Sequence, residues 1–240
     1  MKLIADTHTH TLASTHAYST ILENAQFAAS IGLLYLGMTD HAPKMTDAPH
    51  WWHFESLRIL PDELFGVKLL RGIEANICDY EGGLDVTDEQ LARLSFVVAS
   101  IHSPVLAPAS VEEITQAYIG AAKNRHVDVI GHSGLADYPY DYDTAIRVFA
   151  EEGKLVEFNE GTFSSRPASA ENCKTIALLC KKHGCRAVVN SDAHFAYRIG
   201  QVPLVSKMLD EVDFPKELIV NADKERFEAY LAERKRRVNA

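Results

Sequence analysis

Along the chain, short apolar runs alternate with longer stretches whose apolar residues recur every three to four positions. The first pattern predicts buried strands and the second amphipathic helices. Leu3-Ile4-Ala5 predicts a strand over 2–6, and further apolar runs predict strands at 34–38, 67–73, 95–101, 127–130, 155–158 and 186–189. The segment 19–31 carries Ile21, Leu22, Ala25, Ala28 and Ala29 at helical spacing and stops at Gly32. Ser110 caps a predicted helix reaching about Asn124, with Glu112 and Glu113 in the first turn, where the helix dipole favours acids. Other helices are predicted near 88–93, 141–152 and 169–183. Two more helical stretches close the chain, the last at about 223–237. The segment 42–60, broken by Pro43 and Pro49, reads as irregular. Strand–helix alternation without linkers or repeats predicts one α/β domain over 1–240, with the length of an ordinary α/β barrel.

The residues at the strand ends change the picture. Six of the seven runs lead into a residue able to bind a metal: His8 and His10, then His41, Glu74, His102, His132, and Asp192 with His194. His16 stands close behind the first pair. On extended backbone, residues two apart face the same side, so His8 and His10 converge. A single histidine of this kind is more often a satisfied, partly buried side chain than a ligand. Recurrence at the carboxyl ends of strands, where parallel α/β folds gather their functional groups, outweighs that reading. Seven histidines and two carboxylates exceed what one ion uses, since zinc takes about four donors. They fit two or three ions. Sulfur-free, histidine-rich ligation suits zinc, with manganese or iron as alternatives.

Composition narrows the partners. The chain has 24 Lys+Arg against 33 Asp+Glu, a formal charge of −9, which argues against nucleic acid or an anionic membrane as a primary partner. Apolar residues make up 47%, as in a globular domain. No leader-like or membrane-spanning segment is read, and Cys78, Cys173, Cys180 and Cys185 contain no C-x-x-C pair. The expected setting is a reducing cytoplasm with packed thiols. The basic run Arg234, Lys235, Arg236, Arg237 is expected to complement the last helix dipole on a solvated face.

Asp6-Thr7-His8-Thr9-His10, Thr39-Asp40-His41, Gly72-Ile73-Glu74, Ser100-Ile101-His102, Gly131-His132 and Ser191-Asp192-Ala193-His194 together resemble the motifs of the PHP (polymerase and histidinol phosphatase) family. The resemblance covers roughly residues 2–236. With the stretch Ala48-Pro49-His50-Trp51-Trp52-His53, it is strongest to the compact YcdX-type phosphatases. It implies a distorted seven-stranded (β/α)7 barrel with a trinuclear metal cleft. By that resemblance His8, His10, Glu74 and Asp192 hold one ion. Glu74 bridges to a second held by His102 and His132, and His16, His41 and His194 hold a third.

The expected chemistry is phosphomonoester hydrolysis by a hydroxide bridging two ions, with Glu74, Asp192 and His194 assigned to catalysis. Asp6 and Asp40 are expected to orient imidazoles as hydrogen-bond acceptors. Arg166 and, more weakly, Arg198 are candidates for binding the substrate phosphate. Trp51, Trp52, His50 and His53 are expected to overhang the cleft or to pack on neighbouring helices. The implied partner is a phosphorylated small molecule, and a homo-oligomer remains open. The alternatives are a histidinol-phosphatase, a non-catalytic metal-stabilised PHP module, and a metal-dependent amidohydrolase, which usually needs a carboxylated lysine or similar bridge where Glu74 is the natural bridge here.

Overall fold

The computed structural model describes residues 1–239. Its strands are β1 (Ala5–Asp6), β2 (Tyr35–Met38), β3 (Glu63–Leu64), β4 (Val67–Asn76), β5 (Phe96–Ser100), β6 (Val129–Ile130), β7 (Leu155–Asn159) and β8 (Ala187–Asn190). Its α-helices are α1 (Ile21–Ser30), α2 (Trp52–Ser56), α3 (Asp88–Leu91), α4 (Val111–Lys123), α5 (Tyr142–Glu151), α6 (Glu160–Ser165), α7 (Ala170–His183), α8 (Pro203–Glu211) and α9 (Lys224–Asn239). Seven strands pair in parallel in the order β1-β2-β4-β5-β6-β7-β8, and the short β3 pairs antiparallel with β4. Helices cover the sheet between successive strands, giving the α/β architecture that the alternation predicts and the distorted seven-stranded barrel that the resemblance implies.

The barrel nearly closes between β1 and β8, and one asparagine spans the seam. The Asn221 amide donates to the carbonyls of Ala5 (2.9 Å) and Val189 (2.7 Å), and its oxygen accepts from Val189 N. Its own carbonyl accepts from Ile4 N. Nearer the strand ends, His10 N donates to the Ala193 carbonyl at 2.9 Å. A side chain therefore replaces part of a ladder that would otherwise leave buried backbone groups unpaired.

Strand alternation sorts the barrel interior into two layers. Leu70, Phe96, Val98, Val129, Leu155 and Val188 form one apolar cluster with Phe227 and Tyr230 of α9. Glu74, Asn76, Ser100, Glu157 and Asn190 lie an even number of residues further along the same strands, so they share that inner face. The interior thus changes from apolar at its base to polar towards the carboxyl ends. The intervening residues Ile73, Ala75, Val97, Ala99, Val156, Phe158 and Val189 point the other way, into the larger core under the helices.

The caps match the sequence. Thr20 and Ser110 form capping boxes with Glu23 and Glu113, and α7 ends at Gly184 in the left-handed conformation (φ 65°). Three elements depart from the pattern: α2 lies within the supposedly irregular 42–60, β3 falls outside the predicted strands, and α6 directly succeeds β7, capped by Asn159. The C-terminal basic run also differs from expectation. Arg234 is buried, donating to Asp128 Oδ2 (2.7 Å) and the Leu94 carbonyl, and Arg237 donates to Asp128 Oδ1 (2.6 Å). These two arginines fasten α9 across the barrel base, because Asp128 is a fully buried carboxylate that needs counter-charge. No helix among the described residues is long and apolar enough to cross a membrane. The four cysteines are unpaired.

Candidate metal centre

Glu74 stands at the middle of the polar layer, carried by the long strand β4. Its Oε1 faces His132 Nε2 (3.0 Å) and His102 Nε2 (3.2 Å). Its Oε2 faces His41 Nε2 (3.1 Å), His8 Nε2 (3.3 Å) and His10 Nε2 (3.6 Å). Asp192 Oδ1 lies 3.0 Å from His10 Nε2 and 3.7 Å from His8 Nε2. The rings of His16 and His194 stack at 4.3 Å, and His194 stacks on His10 at 4.1 Å. All nine sequence-selected groups therefore belong to one connected cluster.

Most of the other ring nitrogens meet a neighbouring acceptor, whereas His132 Nδ1 is buried without a hydrogen bond. His8 Nδ1 meets Glu157 Oε1 at 2.7 Å, and His102 Nδ1 meets Asn76 Oδ1 at 2.7 Å. Asp47 Oδ2 meets His16 Nδ1 (2.7 Å) and His41 Nδ1 (3.0 Å), while His194 Nδ1 faces the Asp192 carbonyl (3.0 Å). The His10 Nδ1 contact with Ser14 Oγ is longer, at 3.4 Å. An Nδ1 proton donated to a carboxylate or amide oxygen leaves the lone pair on Nε2, the arrangement that metal-binding histidines use. His8 Nε2 and His194 Nε2 are buried without a hydrogen bond. Neutral Nε2 lone pairs crowded on a carboxylate repel it, and a cation between them turns that repulsion into ligation. The donor set fits divalent metal. Four groups of three donors lie close enough to share an ion: His8-His10-Glu74, His10-His41-His194, His41-Glu74-His102 and His16-His41-Asp47.

The electrostatics agree with that crowding. Burial alone would raise Glu74, but His8 and His102 beside it hold its carboxyl well below the usual range. Burial would likewise lower His8, but Glu157, Glu74 and Asp192 together push it well up. His10, with less carboxylate around it, is pulled down to about 4 by burial. The backbone is strained at two of these positions. His132 (φ 25°) and Asp192 (φ 54°) adopt left-handed conformations that cost a non-glycine residue on the order of 1–3 kcal/mol. The Glu157 carboxylate supports His132 by accepting its backbone N–H at 2.9 Å.

Asp6 and Asp40 occupy different places from those the sequence suggests. Asp6 accepts from the Ser191 hydroxyl and from Gly200 N (2.8 Å), so it braces the loop that carries Asp192 and meets no imidazole ring. Asp40 accepts from Thr11 N, Thr11 Oγ1 and Ser14 Oγ, and the one imidazole it bonds directly is His53 (3.2 Å), outside the cluster. Arg166, at the end of α6, and Arg198 are exposed. Both line a concavity of about 480 Å³ with His16, Asp192 and His194. Trp51 stacks on Phe54 at 5.7 Å against the core, whereas Trp52 is 72% exposed. Sequence reasoning did not select Glu157, Asp47 or Asn76. Only Glu157 had a readable signal, an acid in the middle of the apolar run Leu155–Phe158.

A family model described as PHP domain matches residues 6–161. A curated protein of Acetivibrio thermocellus described as a probable phosphatase is 46% identical over 238 residues, covering 99% of both chains. Another from Clostridium novyi, also described as a probable phosphatase, is 43% identical over 96% of this chain and 95% of its own. Among solved structures, a histidinol phosphate phosphatase of Lactococcus lactis, complexed with zinc, L-histidinol and phosphate, aligns over 88% of this chain and 94% of its own. Its TM-score is 0.62 at 17% identity, a likeness of fold.

Proposed function

The chain belongs to the PHP domain family, and from that premise we propose that it is a metal-dependent phosphatase hydrolysing small phosphomonoesters at a cluster of three divalent ions, zinc first, with manganese or iron as alternatives. The observation that carries this reading is the placement of five imidazole Nε2 atoms within 3.0–3.6 Å of the two oxygens of Glu74. His8, His10, Glu74 and Asp192 would hold the first ion, Glu74, His102 and His132 the second, and His16, His41 and His194 the third. Divalent ions bound there would supply a water of lowered pKa and counter-charge for phosphate oxygens.

The chain's own residues prepare that chemistry. With imidazole nitrogens facing both of its oxygens, the Glu74 carboxylate would serve two ions. Glu157, Asn76 and Asp47 fix imidazole tautomers, which keeps the Nε2 lone pairs directed inward. Arg166 and Arg198 form no side-chain hydrogen bond or ion pair among the described residues, and their guanidinium groups are free to take phosphate oxygens at the cleft mouth. The setting is cytoplasmic, consistent with unpaired thiols. The test is hydrolysis of a phosphomonoester panel, histidinol phosphate included, by metal-reconstituted protein with and without chelator. Turnover that chelation abolishes supports the reading, and a fully metallated protein inert across the panel overturns it.

A further inference from the structure

The imidazoles of the cluster are not all supported by the same kind of group. His8 and His41 rest their Nδ1 atoms on the carboxylates of Glu157 and Asp47, which accept a proton whichever way they turn. His102 rests its Nδ1 on an amide, 2.7 Å from Asn76 Oδ1. An amide has one accepting end and one donating end, so it supports His102 only when held the right way round. Turned over, it would present an N–H to Nδ1 and favour the ring proton on Nε2, the atom that faces Glu74.

The group placed to hold Asn76 is Asp85. Beyond β4 the chain turns back on itself, so that Ile77 and Leu84 pair antiparallel and Cys78 N donates to the Gly83 carbonyl at 2.8 Å. The return brings the half-buried Asp85 beside the buried Asn76. Asn76 Nδ2 donates to Asp85 Oδ2 at 2.7 Å and to the Ala42 carbonyl at 3.2 Å. Neither partner can donate, so the NH2 must point to them and the oxygen to His102. Asp85 is itself fixed from two sides. Its Oδ1 accepts from Asn76 N at 2.9 Å, and its Oδ2 accepts from Lys44 N at 2.9 Å, in the loop that follows His41.

We propose that Asp85, which forms no hydrogen bond to any member of the cluster among the described residues, is a positioning residue for His102 and acts through the Asn76 amide. Its consequence for metal binding rests on the phosphatase reading above. Without the Asp85 carboxylate the NH2 keeps only the longer bond to Ala42, and the amide is free to turn. His102 then loses its fixed acceptor, and its Nε2 lone pair is no longer reserved for an ion.

Nitrogen-coupled imidazole proton spectra and chelator competition test this together. In metal-free protein the His102 Nδ1–H signal, identified by its loss in His102→Gln, should exchange with water about tenfold or more faster in Asp85→Ala. Asp85→Ser should repeat the effect if the alanine variant folds poorly. In zinc-reconstituted protein, Asp85→Ala should weaken zinc retention about threefold to tenfold, less than the roughly 10–100-fold expected of Asn76→Ala. Because Asp85 acts through Asn76, adding Asp85→Ala to Asn76→Ala should change retention by less than about twofold, whereas a merely structural role would give additive losses. Wild-type exchange in both Asp85 variants, or additive losses in the double variant, would overturn the proposal. A wild-type protein that takes up no zinc yet keeps the Asp85-dependent signal would remove the phosphatase reading and still support the positioning.

Discussion

Replacing Glu157 by glutamine tests whether the metal cluster is held from beneath. The exchange keeps the shape of the side chain and removes one acceptor. Four donors converge on the native carboxylate: His8 Nδ1 (2.7 Å) and Asn190 Nδ2 (2.8 Å) on Oε1, and His132 N (2.9 Å) and Asn159 Nδ2 (3.1 Å) on Oε2. A glutamine amide has one oxygen, so either orientation of its NH2 leaves two of the four donors facing a donor. Each buried unsatisfied donor costs about 1–3 kcal/mol, and rotation of the two asparagines relieves part of it, so the expected loss of stability is about 2–4 kcal/mol. If the NH2 faces His8, the imidazole moves its proton to Nε2 and can no longer ligate. Loss of such a supporting partner weakens metal binding by about 10–100-fold. Urea unfolding of the metal-free protein reads the first quantity, and competition with a chelator of known affinity reads the second. A Glu157→Gln protein within about 0.5 kcal/mol and twofold of wild type on both scales would refute the reasoning.

Two further outcomes rest on single side chains. Arg166→Ala should lower kcat/KM for phosphomonoesters by about tenfold or more, the size of one lost charged hydrogen bond at about 1.5–3 kcal/mol, and unchanged kinetics would assign the residue to the solvated surface. Lys154 is buried at the foot of the barrel, donating to the carbonyls of Asn124 (2.8 Å) and Val127 (2.9 Å), and burial lowers its amine from 10.5 to about 8. Between those values the unfolded chain keeps a proton that the native chain has lost, so this group's contribution to stability rises with pH across that window. The wild-type advantage over Lys154→Met in urea should therefore grow by about 2–3 kcal/mol between about pH 7.5 and pH 10.5, and a pH-independent difference would contradict the assignment.

The strand ends were legible because each combines two signals, an apolar run and then a ligand type, at the same place in a repeating unit. Glu74 shows the limit of that reading: β4 does not stop there but continues to Asn76, which puts a second polar residue on the inner face to hold His102. The groups that orient the imidazoles were less legible. Asp47 is separated from His16 by 31 positions and Glu157 from His8 by 149, and no local periodicity encodes such contacts. Asp6 and Asp40, within two residues of ligands in sequence, turn mainly to backbone and hydroxyl donors, because loop N–H groups near them are buried and need acceptors. The Asn221 seam and the Asp128 clamp depend on the barrel being closed, so they emerge only at the tertiary level. Helix α2 was hidden between prolines, its few residues too short to show a period.

The sharing of Glu74 between ions is the claim on which the rest depends, and metal content per chain tests it most directly. Elemental analysis after gel filtration, with circular dichroism to establish folding, should give about three ions for wild type. Glu74→Gln removes the shared charge and leaves neighbouring cations unscreened, so it should lose at least one ion and nearly all activity. His41→Gln removes one neutral donor and should lose or weaken one ion only, with a smaller fall in activity. A wild-type protein holding a single ion, or a folded Glu74→Gln protein keeping the full wild-type count, would contradict the account.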